Sequence, residues 1–286
     1  MVVALSPKKE RRVIMKLYDK FWLWGHGRQI ENIEDKDNPN LRGRPGISKL
    51  SCAEAAREMG IPNICRIALE PAEKPPYAPE LRESEDMKQI VWSVLGCGKL
   101  DARNDLDELI NNAKNFPNIV GGVMDDFFPN TNPEKTKKYT PEVLKTMRER
   151  LHTEVDRKLD LWVVVYNWDF EYENFSIKPY LDECDVATMW TYHPDNLKNL
   201  EKTYQKMRDV WGYDRPLYAG CYMWSFSEKK PIDMDVMKMQ LDTYYEWIKV
   251  GKIDGIIFCH NYLVDLDIEA VKYTKKWIAE HGDEAI

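Results

Sequence analysis

The sequence predicts an α/β protein, a single-domain (β/α)8 TIM barrel, and three observations carry that expectation. Eight apolar strand-like runs alternate strictly with helical patterns across residues 1–286. The runs are apolar on both faces, as a parallel sheet covered by helices requires. The turn Trp24-Gly25-His26-Gly27-Arg28 lacks the glycine spacing of an open dinucleotide-binding sheet. Right-handed crossovers repeated in this way close into a barrel, for which roughly 250 residues is usual.

Each element has its own signal. Val13 to Tyr18 is the first apolar run, and Ser51 with Glu54 forms a capping box opening a helix that Gly60 closes. Ile64 to Leu69 is the second strand, ending in Glu70-Pro71. A proline-rich passage leads to a short helical piece around Leu81 to Lys88, and Ile90 to Gly96 is the third strand. Leu106, Leu109, Ile110, Ala113 and Phe116 share one face of the next helix. Strand four, Gly121-Gly122-Val123-Met124, runs directly into Asp125-Asp126-Phe127-Phe128-Pro129. Thr140-Pro141 starts a helix. Leu161 to Tyr166 is strand five, and a short helix from Ile177 to Cys184 precedes strand six, Val186 to Thr191. A helix marked by Leu197 to Trp211 stops at Gly212, and Pro216 to Tyr222 is strand seven. Met234 to Ile248 stripes another helix, Gly255 to Cys259 is strand eight, and Val271 to Ile278 marks the last helix.

Bulk properties limit the partners. The net charge is −7 with both signs mixed along the chain, which argues against nucleic acid and against an anionic membrane surface. No window approaches the roughly 18 apolar residues of a bilayer span. A soluble protein is expected. It is cytoplasmic as the sequence stands, since the charges Lys8 to Arg12 follow the first apolar residues, or secreted or periplasmic if a leader has been removed. The six cysteines contain no C-x-x-C pair and are expected to be reduced. The oligomeric state is left open.

In such a barrel the chemistry lies at the C-terminal ends of the strands. Those exits carry His26, Glu70, Asp125 with Asp126, Asn167-Trp168-Asp169 with Glu171, Tyr192-His193, Trp224 and His260-Asn261. Three of the five histidines sit there, and so do five of the ten tryptophans: Trp24, Trp92, Trp168, Trp190 and Trp224. Aromatic faces stack on the C–H faces of sugar rings, although any one tryptophan can equally plug the barrel. Long loops at 25–49, 71–81 and 129–139 also lie at this end. Glycosidic cleavage needs one carboxylic acid to protonate the leaving oxygen and a second carboxylate to attack or to activate water. Pleat alternation predicts that only one of Asp125 and Asp126 faces the pore, with its partner on another strand, Glu70 or Asp169.

With its acidic fourth exit, Asp125-Asp126, and its tryptophan-rich rim, the chain resembles the barrel-type glycoside hydrolases. The likeness is at class level, spans the whole chain and carries no single family's pattern. Strand seven runs into Tyr222-Met223-Trp224-Ser225-Phe226 without a carboxylate, and Gly121 to Asp126 supplies only the tail of the chitinase-like D-x-x-D-x-D-x-E. The expected function is glycoside hydrolysis of a carbohydrate substrate. Asp125, Asp126, Glu70 and Asp169 are the catalytic candidates. Trp24, His26, Trp168, Trp190, Tyr192, His193, Trp224, His260 and Asn261 are the substrate-binding ones. No metal or cofactor is expected. One alternative is a metal-dependent sugar isomerase or epimerase, with His26, His193 and His260 joining Glu70 and Asp125 or Asp126. The other is a non-catalytic sugar-binding barrel.

Overall fold

Eight parallel strands pair in sequence order, and the last pairs with the first, so the sheet has no edge. The computed structural model describes residues 15–28, 43–69, 74–97 and 104–286. The strands are β1 (Phe21–Gly25), β2 (Asn63–Arg66), β3 (Gln89–Leu95), β4 (Ile119–Met124), β5 (Asp160–Tyr166), β6 (Val186–Trp190), β7 (Leu217–Tyr222) and β8 (Gly255–Cys259). The helices around them are α1 (Cys52–Met59), α2 (Ala78–Arg82), α3 (Leu106–Ala113), α4 (Pro133–Lys138), α5 (Pro141–Thr153), α6 (Lys178–Leu181), α7 (Leu200–Trp211), α8 (Met234–Lys249) and α9 (Glu269–His281). The α/β barrel read from the alternation is the observed fold. Five of the six cysteines are buried and Cys97 is half-buried. Among the described residues no helix is long and apolar enough to cross a membrane.

Local chemistry sets the boundaries. The Ser51 hydroxyl accepts the Glu54 N–H while the Glu54 side chain accepts the Ser51 N–H, and Gly60 ends α1 with φ +70°. Two expectations need correction. The first strand is not the Val13–Tyr18 run: Leu17–Lys20 is a 3-10 turn in which only Leu17 is buried, and β1 begins at Phe21. The run Phe21-Trp22-Leu23-Trp24 is apolar on both faces, whereas Lys16 and Tyr18 are exposed. The segment 129–139 is not an open loop, because Asn132 caps a helix there through its side-chain oxygen and Pro133 starts it.

The interior is filled by rings rather than by aliphatic layers. Near the N-terminal end Trp22, Trp162 and Tyr218 meet across the pore, with ring centroids 4.8–5.9 Å apart. Above them Trp190 packs between Trp24 and Tyr222 at 5.1 and 5.2 Å. Such bulk fits only where neighbouring strands present no side chain. A Cβ on Gly220 would lie 2.0 Å from the Trp190 ring, and one on Gly255 would lie 2.8 Å from Tyr218. Trp92 belongs elsewhere. It lies on the outer face of β3, against Tyr77 at 5.3 Å and under the Arg66 guanidinium at 5.2 Å, so it is no part of the rim.

Gly220→Ala forces a methyl group into the Trp190 ring. The expected cost is about 1–3 kcal/mol, seen as a lower midpoint in chemical denaturation together with a changed near-ultraviolet dichroism of the ring stack.

Candidate active site

β4 delivers the centre of the site. A Cβ on Gly121 would touch the interior Trp162, whereas one on Gly122 would touch Val94 and Leu109 on the outside. Alternation therefore turns Asp125 inward. It is only 5% exposed, and its Oδ1 accepts the Asp126 backbone N–H at 2.9 Å. Regular pleating would send Asp126 outward. Instead Asp126 adopts a left-handed backbone, φ +47°, a conformation that aspartate tolerates better than most side chains do. Its Oδ1 then accepts the Tyr166 hydroxyl at 3.0 Å. Tyr166 lies four residues beyond the interior Trp162 and so shares its face. Both carboxylates thus reach the pore side, which corrects the expectation that only one would.

The electrostatics separates the two. Burial first, and the adjacent Asp126 charge second, hold the Asp125 carboxyl well above the usual carboxylate range. A buried cation opposes this: the Lys135 ammonium donates to the carbonyl oxygens of Gly96 and Asp125, each at 2.6 Å, tying the β3 and β4 exits together. Tyr166 and Tyr222 are kept as protonated phenols chiefly by burial, and the charges of Asp126 and Asp125 add to the effect in both. None of Tyr166, Tyr222 and Lys135 was singled out from sequence. The two tyrosines could have been found by counting in twos from Trp162 and Tyr218. Lys135 carries no such signal, being one of three lysines in a charged helix.

Two predicted residues serve the scaffold. Asp169 is buried, with its Oδ2 accepting the Tyr166 N–H and its Oδ1 accepting the Tyr172 hydroxyl, both at 2.8 Å. Burial lifts its carboxyl to about 7. Asn261 is fully buried. Its Oδ1 accepts the His26 N–H at 3.0 Å, and its amide donates to the carbonyls of His26 and Leu50 at 3.1 and 3.3 Å. It staples the β8 exit to the β1 exit, with both polar atoms of its amide engaged by backbone.

The histidines and rings complete the rim. His26 Nδ1 lies 3.0 Å from the Ile67 carbonyl, which can only accept, so that nitrogen carries the proton. His260 Nδ1 accepts the Tyr262 N–H at 3.1 Å, so neutral His260 is protonated on Nε2, and its ring stacks on Phe226 at 5.2 Å. His193 is exposed, beside Tyr192 at 5.3 Å and Trp168 at 6.1 Å. Trp168 is half-buried and stacks on Tyr166 at 4.7 Å with ring planes 18° apart. Trp24, Trp190 and Trp224 are buried, so Trp168 alone of the four predicted subsite tryptophans offers a partly open face. Beyond Phe226 the β7 exit does carry a carboxylate. Glu228 accepts the Ser225 hydroxyl at 2.8 Å and pairs with the Lys230 ammonium at 3.1 Å. Glu70 lies outside the described residues.

No three potential metal ligands come together at the mouth among the described residues. The one such grouping is His152, Asp160 and Asp185 at the opposite pole. There the Lys158 ammonium already stands 2.8 and 3.3 Å from the two aspartates, and Asp185 accepts the Leu161 N–H at 3.0 Å.

No protein-family model and no curated protein matches this chain. Solved structures do, and they are glycoside hydrolases built on the same barrel. A Bacteroides thetaiotaomicron protein provisionally described as an α-L-fucosidase aligns with a TM-score of 0.56 at 11% identity, over 98% of this chain and 99% of its own. A glycoside hydrolase family 18 N-acetylglucosaminidase from Paenibacillus barengoltzii aligns at 0.53 and 11%, over 90% and 98%. A family 1 β-glucosidase from Exiguobacterium antarcticum aligns at 0.52 and 10%, over 94% and 99%. At such identities the likeness shows the fold.

The Asp169 carboxyl gives a pH signature. Its folded value of about 7 lies above the ordinary 3.8, so the folded state holds a proton that the unfolded chain releases. Its contribution to stability is therefore full below about pH 4 and is lost as the pH rises to about 7, by on the order of 3–4 kcal/mol. Denaturation midpoints followed across that range should fall with pH in the wild type and fall less steeply in Asp169→Asn.

Proposed function

We propose that the chain is a glycoside hydrolase acting at the β4 exit, and the observation that carries this reading is the buried carboxyl of Asp125 held beside Asp126. A buried carboxyl that holds its proton more tightly than an ordinary one is what the leaving glycosidic oxygen needs. In this reading Asp125 donates that proton as the bond to the anomeric carbon breaks. Asp126, oriented by the Tyr166 hydroxyl, stands against the positive charge that develops on the sugar and engages the anomeric carbon or the attacking water. Asp169 and Asn261 hold the walls and do not touch the sugar. Trp168 with Tyr192 and His193 forms the platform for the ring, and Trp24 and Trp190 close the floor beneath it. The fucosidase, N-acetylglucosaminidase and β-glucosidase activities named for the fold neighbours support a carbohydrate substrate without selecting one.

A panel of aryl glycosides tests the reading. Asp125→Asn and Asp126→Asn should each lower kcat/KM by about 10²-fold or more while leaving the fold intact by circular dichroism. Wild-type turnover in both variants would remove these residues from the chemistry, and retained sugar binding would then favour the non-catalytic barrel. A pH dependence follows as well. Removing the Asp126 charge takes away one cause of the high Asp125 value, so Asp125 loses its proton at lower pH. The alkaline limb of any residual kcat/KM profile in Asp126→Asn should accordingly move to lower pH.

A further inference from the structure

We infer that Tyr166 is the positioning residue of the site, its hydroxyl holding the Asp126 side chain on the pore side beside Asp125; this rests on the hydrolase reading above. The inference starts from a chain of hydrogen bonds joining the β4 and β5 exits. The Tyr166 hydroxyl donates to Asp126 Oδ1 at 3.0 Å. The Tyr166 N–H donates to Asp169 Oδ2 at 2.8 Å, and the Tyr172 hydroxyl donates to Asp169 Oδ1 at 2.8 Å. The Asn130 N–H closes the path by donating to the Tyr172 oxygen at 2.9 Å. The path therefore leaves β4 at Asp126, crosses to β5, and returns to the same βα loop four residues later.

That geometry solves a local problem. Asp126 follows an inward-facing residue and has the parity of the outer face, so only its left-handed backbone brings it round. A single aspartate in that conformation needs a partner to keep its side chain there, and the Tyr166 hydroxyl is the partner on the pore side. Tyr166 itself cannot swing away. Its ring stacks on Trp168 with an 18° interplanar angle, and its backbone is bonded by Asp169.

The same bond breaks the symmetry of the two carboxyls. Asp125 receives a backbone N–H from Asp126, while Asp126 receives a phenol. The groups bearing on Asp126 come from three directions: Asp125 on its own strand exit, Tyr166 and Asp169 from β5 and its loop, and Tyr222 from β7. Lys135 from α4 bears on Asp125. Of these, the structure gives Asp126 one side-chain donor, Tyr166, and a hydroxyl donor stabilises the anionic form of the carboxyl it touches.

Tyr166→Phe keeps the ring and the stack and removes only the hydroxyl. Carboxyl-carbon NMR of aspartate-labelled protein follows both groups without reference to turnover. The expected result is that, at fixed pH, the Asp126 carboxyl resonance moves in the variant and that of Asp125 moves less. In aryl-glycoside assays kcat should fall about tenfold or more with KM within about twofold. Tyr172→Phe, which cuts the outer half of the path, should move the same resonance in the same direction by less. An unmoved Asp126 resonance in Tyr166→Phe, or a larger movement in Tyr172→Phe than in Tyr166→Phe, would overturn the inference. The two readings fail separately. Full turnover in Asp125→Asn and Asp126→Asn defeats the hydrolase reading while the resonance still reports on Tyr166, and an active wild type with an unmoved resonance in Tyr166→Phe defeats Tyr166 alone.

Discussion

The volume inside a closed eight-stranded barrel is the constraint on which the rest of this structure depends. Only alternate residues of each strand face inward, and an eight-stranded barrel is just wide enough for side chains to fill. Here that space is taken by Trp22, Trp162 and Tyr218 and then by Trp24, Trp190 and Tyr222. Rings of this size demand absences opposite them, which Gly121, Gly220 and Gly255 provide. The filled pore has a chemical consequence. Polar groups at the strand exits rest on an apolar floor, and a carboxyl placed on that floor is poorly solvated.

Asp125 is the clearest product of that arrangement. Its burial and its neighbour act in the same direction, while the ammonium of Lys135 acts against them from behind. A single buried carboxyl with a raised proton affinity is a familiar expense of desolvation and does not by itself imply chemistry. What distinguishes this one is the company at the same level: a second carboxylate brought round by a left-handed residue, a phenol that orients it, and a half-open tryptophan beyond. Asp169 shows the contrast. It is raised by the same physics, yet both of its oxygens are committed to Tyr166 and Tyr172, so the shift there describes a loop anchor.

The rim divides in a similar way. Five tryptophans near strand exits looked like one feature in the sequence, and the structure sorts them by exposure. Trp92 packs outside the barrel, Trp24, Trp190 and Trp224 are buried, and Trp168 is the half-open one. Asn261 and His26 behave as a unit that ties the first and last strand exits, closing the barrel at its seam with hydrogen bonds to backbone. The seam and the β4–β5 path are thus built from the same residue types as the site, which is why residue type alone could not tell them apart.

The sequence by itself determined the fold class, the order of the elements and the end of the barrel that carries the acids. Apolar runs of strand length, helical stripes, the Ser51–Glu54 capping box and Thr140-Pro141 are local signals, and their count was enough to imply closure. It misplaced the first strand, because Val13 to Tyr18 is as apolar in composition as Phe21 to Gly25 and only packing chooses between them. Tertiary structure alone decided how Asp125 and Asp126 are placed. Strand parity is a local rule, and the left-handed turn at Asp126 breaks it with the help of a hydroxyl some 40 residues away in the chain. The roles of Asp169, Asn261 and Lys135 were equally invisible. A side chain's partners in a barrel come from neighbouring strands, and a one-dimensional pattern does not record which of its polar atoms the backbone has already taken.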